Sequence, residues 1–249
     1  MQIRTALLPQ LAGEVSNAVC VVIDVLRATT VIATLFDRQC PCVYVAASHE
    51  TARDFARAHG YVLCGETAGY KVADFDYGNS PSEFAHMDFK DRPVVLSTTN
   101  GTKATAMVAD AQKVYLGAAI NRANTAKAAW EAAEEAGNDI VIVCSGTDDQ
   151  FTLEDAMVAG MYVEAIAAQA GAWTMPRQAD SSIAVRRLWE KEPNLLRGWM
   201  EGIHAQTLAD RGFGDDVGFC ATTDTLDNVP TLVAEDQKAT VACPVILVR

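Results

Sequence analysis

Histidine is scarce in this chain. Only His49, His59, His86 and His204 occur among 249 residues, and no two stand at the spacing of a zinc-ligand pair. That argues against a zinc hydrolase. The seven cysteines are odd in number, form no C-x-x-C pair and fall mostly in apolar strand-like runs; they read as reduced core thiols rather than a disulfide framework. No apolar run approaches a membrane span, and the opening MQIRTALLPQLAGE lacks the apolar segment of a signal peptide. A cytoplasmic protein with no membrane partner is therefore expected. Basic residues are outnumbered 20 to 32, for a net charge of −12, so no nucleic-acid partner is expected either. An anionic ligand would need a local positive field: a divalent cation, a few basic side chains or clustered backbone N–H groups.

Two phosphate-binding motifs are also missing. No G-x-x-x-x-G-K-[ST] occurs, since GETAGYK at Gly65–Lys71 has the wrong spacing, and no G-x-G-x-x-G follows a strand. A P-loop NTPase and a dinucleotide fold lose their support. CPVILVR, Cys243 to Arg249, has the spacing of a cysteine phosphatase loop but contains no glycine and reads as a strand.

What is present is an alternation. Strand-like runs at Gln2–Leu8, Val19–Asp24, Cys42–Val45, Tyr61–Cys64, Val94–Ser97, Lys113–Leu116, Asp139–Cys144 and Val241–Val248 are separated by segments of helical period. Those helices are expected over Ala28–Asp37, Ser48–His59, Ser80–Met87, Gly101–Asp110, Asn121–Ala136 and Leu153–Ala170, followed by Asp180–Glu192 and Asn194–Arg211. Such alternation predicts an α/β fold with a largely parallel sheet. No Pro/Gly/Ser-rich linker divides the chain. It reads as one domain, residues 1–249, with 173–230 as a candidate helical subdomain.

Ligands of open α/β sheets bind beyond the carboxyl ends of the strands, and four of these strands end alike. Asp24, Arg27, Thr29 and Thr30 follow one; Gly65, Glu66 and Thr67 a second; STTNGTK, Ser97 to Lys103, a third; SGTDD, Ser145 to Asp149, the fourth, with Glu154 and Asp155 opening the next helix. Asp24 poses the sharpest question, because an unpaired carboxylate at the end of an apolar run is costly to bury. Its partner is either Arg27 or a Mg²⁺ shared with Glu66, an ion that takes one or two carboxylates and keeps several waters. Thr99, Asn100, Gly101 and Thr102 predict a turn, with positive φ at the glycine, into a helix whose free N–H groups suit an anion. A plain capped turn explains the same residues equally well. Glu154 reads as an acid favouring the positive end of its helix.

Taken together, DVLRATT (Asp24–Thr30), Gly65-Glu66, FDYGNSPSE (Phe75–Glu83), TTNGTKA (Thr98–Ala104), CSGTDDQFTLEDAMVAG (Cys144–Gly160) and DVGFCATTDTLDNVP (Asp216–Pro230) resemble the 2-phosphosulfolactate phosphatase family. The resemblance runs in order over most of the chain. It implies a three-layer α/β/α fold with a largely parallel or mixed central sheet. The activity implied is Mg²⁺-dependent hydrolysis of (R)-2-phospho-3-sulfolactate to 3-sulfolactate and phosphate, a step toward coenzyme M in methanogens. It further suggests a homodimer acting on a small anionic phosphorylated substrate. Residue by residue, it suggests Asp24 and Glu66 at the metal and Asp155 as a further carboxylate in the site, with Asp24 or Asp155 in the catalytic role of orienting or deprotonating the attacking water. Arg27, Asn79 and the turn Thr99, Asn100, Gly101, Thr102 would then surround the substrate. Three positions depart from the family pattern: Thr67 where an arginine usually follows Gly-Glu, Val31 in place of a third threonine, and Asp74 in place of a glycine. The departures at 67 and 74 would weaken a site for a doubly anionic substrate, so a related 2-phosphohydroxy acid is an alternative. Two other readings are a non-catalytic organic-phosphate-binding protein and a Mg²⁺-dependent lyase or transferase.

Overall fold

The computed structural model of the chain describes residues 1–171, 176–233 and 245–249, without the side chain of Thr102. The first half runs β1 (Gln2–Ala6), β2 (Ala18–Ile23), α1 (Ala28–Asp37), β3 (Val43–Ala46), α2 (His49–His59), β4 (Val62–Thr67), β5 (Tyr70–Lys71) and α3 (Pro81–Phe84). Next come β6 (Val94–Ser97), α4 (Gly101–Met107), β7 (Lys113–Gly117), α5 (Arg122–Ala136), β8 (Asp139–Cys144) and α6 (Leu153–Ala167). The chain closes with β9 (Arg177–Gln178), α7 (Asp180–Lys191), α8 (Leu195–Trp199), α9 (Ile203–Leu208), α10 (Gly214–Cys220) and β10 (Val245–Val248). Part of the expected last strand, 241–244 with Cys243, lies outside the described residues.

Local signals set many of these limits. Ser48 caps α2 by accepting the Thr51 N–H, and Gly60 ends it at φ 70°. Ser80 caps α3 by accepting the Glu83 N–H, with Pro81 at the first helical position. Gly137 ends α5 at φ 69°, where a side chain would meet its own backbone. The helix expected over Asn194–Arg211 is instead broken into α8 and α9, with Gly202 in extended backbone as the cap of α9.

Among the described residues the strands fall into two sheets. One, ordered β7-β2-β8-β1-β9, is parallel throughout. The other, β10-β3-β6-β4-β5, has a parallel centre with an antiparallel strand at each edge. Residues 230–233 join them. Leu232 donates to the Val114 carbonyl on β7, and Val233 to the Leu247 carbonyl on β10. The α/β/α layering and the parallel character stand as expected; the division into two sheets is new.

Alternation along each strand explains the layers. Val19, Val21 and Ile23 of β2 enter a core with α5 and α6, while Ala18, Cys20 and Val22 enter another with α1 and α4. That second core is shared with Val43 and Val45 of β3 and with Val94 and Leu96 of β6. On the far side of the second sheet, Val95 packs with Ala52 and Ala56 of α2. Strands with both faces covered read as continuous apolar runs, which is what the sequence displays.

Helices α6 and α7 pack closely, and a β-carbon on Gly160 would sit 2.2 Å from the Val185 carbonyl oxygen. Backbone cannot yield there as a flexible side chain could. Gly160→Ala is expected to lower stability by about 2 kcal/mol or more, read as a lower urea midpoint at unchanged m-value.

Candidate active site

Two pairs of neighbouring strands deliver the site. In the first sheet Ile23 of β2 is level with Cys144 of β8; in the second, Gly65 of β4 is level with Ser97 of β6. Asp24 and the loop to α6 leave one pair. Glu66 and the loop to α4 belong to the other. The ligand site expected at the strand ends is therefore bounded by two sheets.

The turn after β2 is knitted by its threonines. Thr29 Oγ1 donates to the Asp24 carbonyl and accepts the Asp24 N–H, and Thr30 Oγ1 donates to the Val25 carbonyl. These hydroxyls hold the backbone that aims Asp24 and Arg27.

Asp24 is 7% exposed, and its Oδ1 accepts the Ala28 N–H at 3.1 Å. Its Oδ2 lies against the start of α4, where a β-carbon on Gly101 would stand 2.7 Å away. Gly101 is thus required by close approach. The expected positive φ is corrected, because Gly101 is the first helical residue and is absent from the left-handed positions.

Asp155 accepts the Val25 N–H on Oδ1 and the Gly146 N–H on Oδ2, each at 3.0 Å. Glu66 accepts the Thr99 N–H at 2.8 Å and the Gly69 N–H at 2.7 Å. Burial raises the proton affinity of Asp24, and the Glu66 and Glu154 charges add to it. Burial, then the Asp24 and Glu154 charges, hold Asp155 well above the usual carboxylate range.

Arg27 does not partner Asp24. Its Nη1 donates to Asp216 Oδ2 at 2.6 Å, its Nη2 to the Gly69 carbonyl at 2.7 Å, and its guanidinium lies 4.3 Å from the centre of the Phe213 ring. Both members of this ion pair are buried. Asp216 Oδ1 accepts from the Ser80 hydroxyl at 2.7 Å and from the Ser82 N–H and hydroxyl at 3.2 and 2.5 Å. Asn79, next to Ser80, is buried with its Oδ1 unpartnered, and among the described residues it makes no hydrogen bond to Asp24.

The turn residues are partly committed. The Thr99 N–H is spent on Glu66, and Asn100 Oδ1 accepts the Asp148 N–H at 3.2 Å. The N–H groups of Lys103 and Ala104 both go to the Asn100 carbonyl. Gly101 and Thr102 open the helix, ahead of its first internal bond.

Glu154, read from sequence as a helix-end acid, does lie in the first turn of α6, and it is also buried at 2% side-chain exposure, with Oε1 2.5 Å from His204 Nδ1. His204 and Asp216 were not singled out by sequence reasoning. His204 stood alone, apart from any ligand pair, and Asp216 sits 189 residues from its partner Arg27.

Two departures from the family pattern find partners. Thr67 Oγ1 lies 2.8 Å from His49 Nε2. Asp74 pairs with Arg53 at 2.6 Å, whose hydrogen bond lowers the Asp74 pKa, so the extra acid does not stand uncompensated.

Buried carboxylates meeting a helix start at the ends of parallel strands define an α/β protein with a candidate site at its strand ends. Comparison with known proteins goes further. The family model described as 2-phosphosulpholactate phosphatase matches residues 6–235. A "Probable 2-phosphosulfolactate phosphatase" of Pseudothermotoga lettingae is 35% identical over 221 residues, 87% of this chain and 90% of its own. Proteins of the same description from Carboxydothermus hydrogenoformans (35% over 231 residues, 92% of each chain) and Deinococcus radiodurans (34% over 238 residues, 95% of each) are also similar. The chain belongs to the 2-phosphosulpholactate phosphatase family, and so to the phosphoric monoester hydrolases. Among the described residues, no helix is long and apolar enough to cross a membrane.

Asp216→Asn would strip the charge that balances Arg27. Leaving a buried ion unpaired costs about 3–5 kcal/mol. The expected outcome is a Tm lowered by several degrees, measured by calorimetry with wild type in the same buffer.

Proposed function

We propose that the chain hydrolyses the phosphate monoester of a small 2-hydroxy acid, 2-phospho-3-sulfolactate or a close relative, with the help of Mg²⁺. One observation carries this reading: a buried carboxylate oxygen, Asp24 Oδ2, lies against the helix start of Gly101. An anion at that helix start and the Asp24 carboxylate would repel each other unless a cation lay between them.

The donors suit a hard cation. Asp24 and Glu66 offer oxygen only, and each of their oxygens accepts no more than one backbone N–H, leaving lone pairs free. Among the described residues no three His, Cys, Asp or Glu side chains are already grouped as a metal cage. Mg²⁺ needs none, since one or two carboxylates complete its water shell. Asp24 and Glu66 would hold the ion, which when bound supplies positive charge to the phosphoryl oxygens.

The chain's own residues do the rest. Arg27, with two of its donors committed and its charge balanced by Asp216, keeps its remaining N–H donors for the substrate's acid groups or phosphate. The Gly101 and Thr102 N–H groups and Asn100 meet the phosphate, and the buried Asn79, whose Nδ2 can donate, takes the substrate's phosphate or carboxylate. Asp155 orients the attacking water, and its raised proton affinity suits it to accept the water's proton.

The test is phosphate release from racemic 2-phosphosulfolactate, 2-phospholactate and phosphoglycerate, with Mg²⁺ and with EDTA. Release that requires the metal and falls about 100-fold or more in Asp24→Asn is expected. Near-normal turnover in that variant would remove Asp24 from its role. Binding without release would favour the non-catalytic reading, and conversion without free phosphate the lyase or transferase.

A further inference from the structure

Breaking the ester of a secondary alcohol leaves an alkoxide, a poor leaving group unless a proton reaches it as the bond parts. None of the residues assigned above donates one. Asp24, Glu66 and Asp155 are acceptors, and Arg27 does not give up its proton in proteins.

His204 is the group left over. The break between α8 and α9 at Gly202 sets it two residues into the new helix segment, with Nδ1 2.5 Å from Glu154 Oε1. Glu154 is the first neighbour of Asp155 on α6, so the ring reaches the same end of the two sheets. The imidazole is 21% exposed and its Nε2 makes no hydrogen bond among the described residues. The other oxygen of Glu154 is buried without a partner. A carboxylate this dry, holding one hydrogen bond, is best tolerated opposite a positive charge.

We propose that His204, held by Glu154, is the acid that protonates the leaving oxygen. This rests on the phosphatase reading and deepens it. As the bond between phosphorus and the bridging oxygen breaks, its electron pair moves to that oxygen, which takes the proton of Nε2 and departs as the free hydroxyl of the acid. Water's oxygen forms the new bond to phosphorus, and its displaced proton goes to Asp155. That proton returns through solvent to His204, leaving the enzyme as it began.

The carboxylate sets the geometry. With the Nδ1 proton engaged by Glu154, the proton that comes and goes is the one on Nε2. The charged and titratable groups acting on the ring are Glu154 from α6, Asp24 from the end of β2 and Arg27 ahead of α1. Burial opposes the imidazolium, but the Glu154 hydrogen bond and charge, with the Asp24 charge, outweigh it and raise the His204 pKa above 6.5. The acid form is thereby retained toward neutral pH and lost as pH rises through the raised value.

The experiment compares 2-phospholactate with its trifluoromethyl analogue, which has the same charges and a far more acidic alcohol. Wild type, with Mg²⁺, is expected to turn the two over at similar kcat. In His204→Asn the ordinary ester should fall about 10²–10⁴-fold and the fluorinated ester at least tenfold less than that. Equal losses for both esters would overturn the proposal and leave His204 as a structural partner of Glu154. Should the variant fail to fold, wild type alone decides: discrimination between the esters must emerge above its alkaline limb, and identical discrimination on both sides of the limb overturns the proposal. Wild type releasing phosphate from neither ester, nor from 2-phosphosulfolactate, would instead sink the phosphatase reading, and this inference with it.

Discussion

Four carboxylates, Asp24, Glu66, Glu154 and Asp155, are taken out of water where two sheets end. Each must recover in the fold part of what it loses in hydration. Glu66 and Asp155 do so through two backbone N–H groups apiece, and Glu154 through His204. Asp24 recovers least, one N–H on one oxygen. The unbalanced charge is thus concentrated on the carboxylate that also touches the helix start at Gly101. Much of the local architecture follows: the loops after β4, β6 and β8 bend so that their N–H groups point at acids rather than at solvent.

Arg27 answers a different need. Its partner Asp216 comes from the far end of the chain and is itself held by Ser80 and Ser82. This single ion pair ties the turn after β2 to α3 and α10. A buried pair of this kind adds little net stability over an apolar substitute, but it fixes where a guanidinium sits. The Gly69 carbonyl and the Phe213 ring complete the enclosure.

Periodicity in the sequence displayed most of the elements, because strands covered on both faces are apolar throughout and helices such as α2 and α5 carry explicit stops at Gly60 and Gly137. The four acid- and hydroxyl-rich strand ends were legible for the same local reason. Partnership across the chain was not. Nothing local links Arg27 to Asp216 or Glu154 to His204, and Arg27 beside Asp24 invited the wrong pairing. Nor does periodicity say how strands are shared between sheets, since β2 and β6 look alike whichever sheet they join. Gly101 was visible as a necessary glycine, but its reason, contact with Asp24, exists only once both loops are folded.

The two-sheet arrangement also bears on how a chain of net charge −12 could hold an anion. Long-range attraction is unavailable, and surface charges beyond about 8–10 Å are largely screened at physiological salt. What remains is short-range positive potential on rigid supports, where reorganisation costs least. One sheet contributes the turn bearing Asp24 and Arg27 and the loop bearing Asp155. The other contributes Glu66 and the path into α4. Residues 230–233 hydrogen-bond both sheets edge to edge, so the two half-sites are fixed relative to one another by backbone. A site divided this way has its charge balance set by the fold, and the acidic surface can vary without disturbing it.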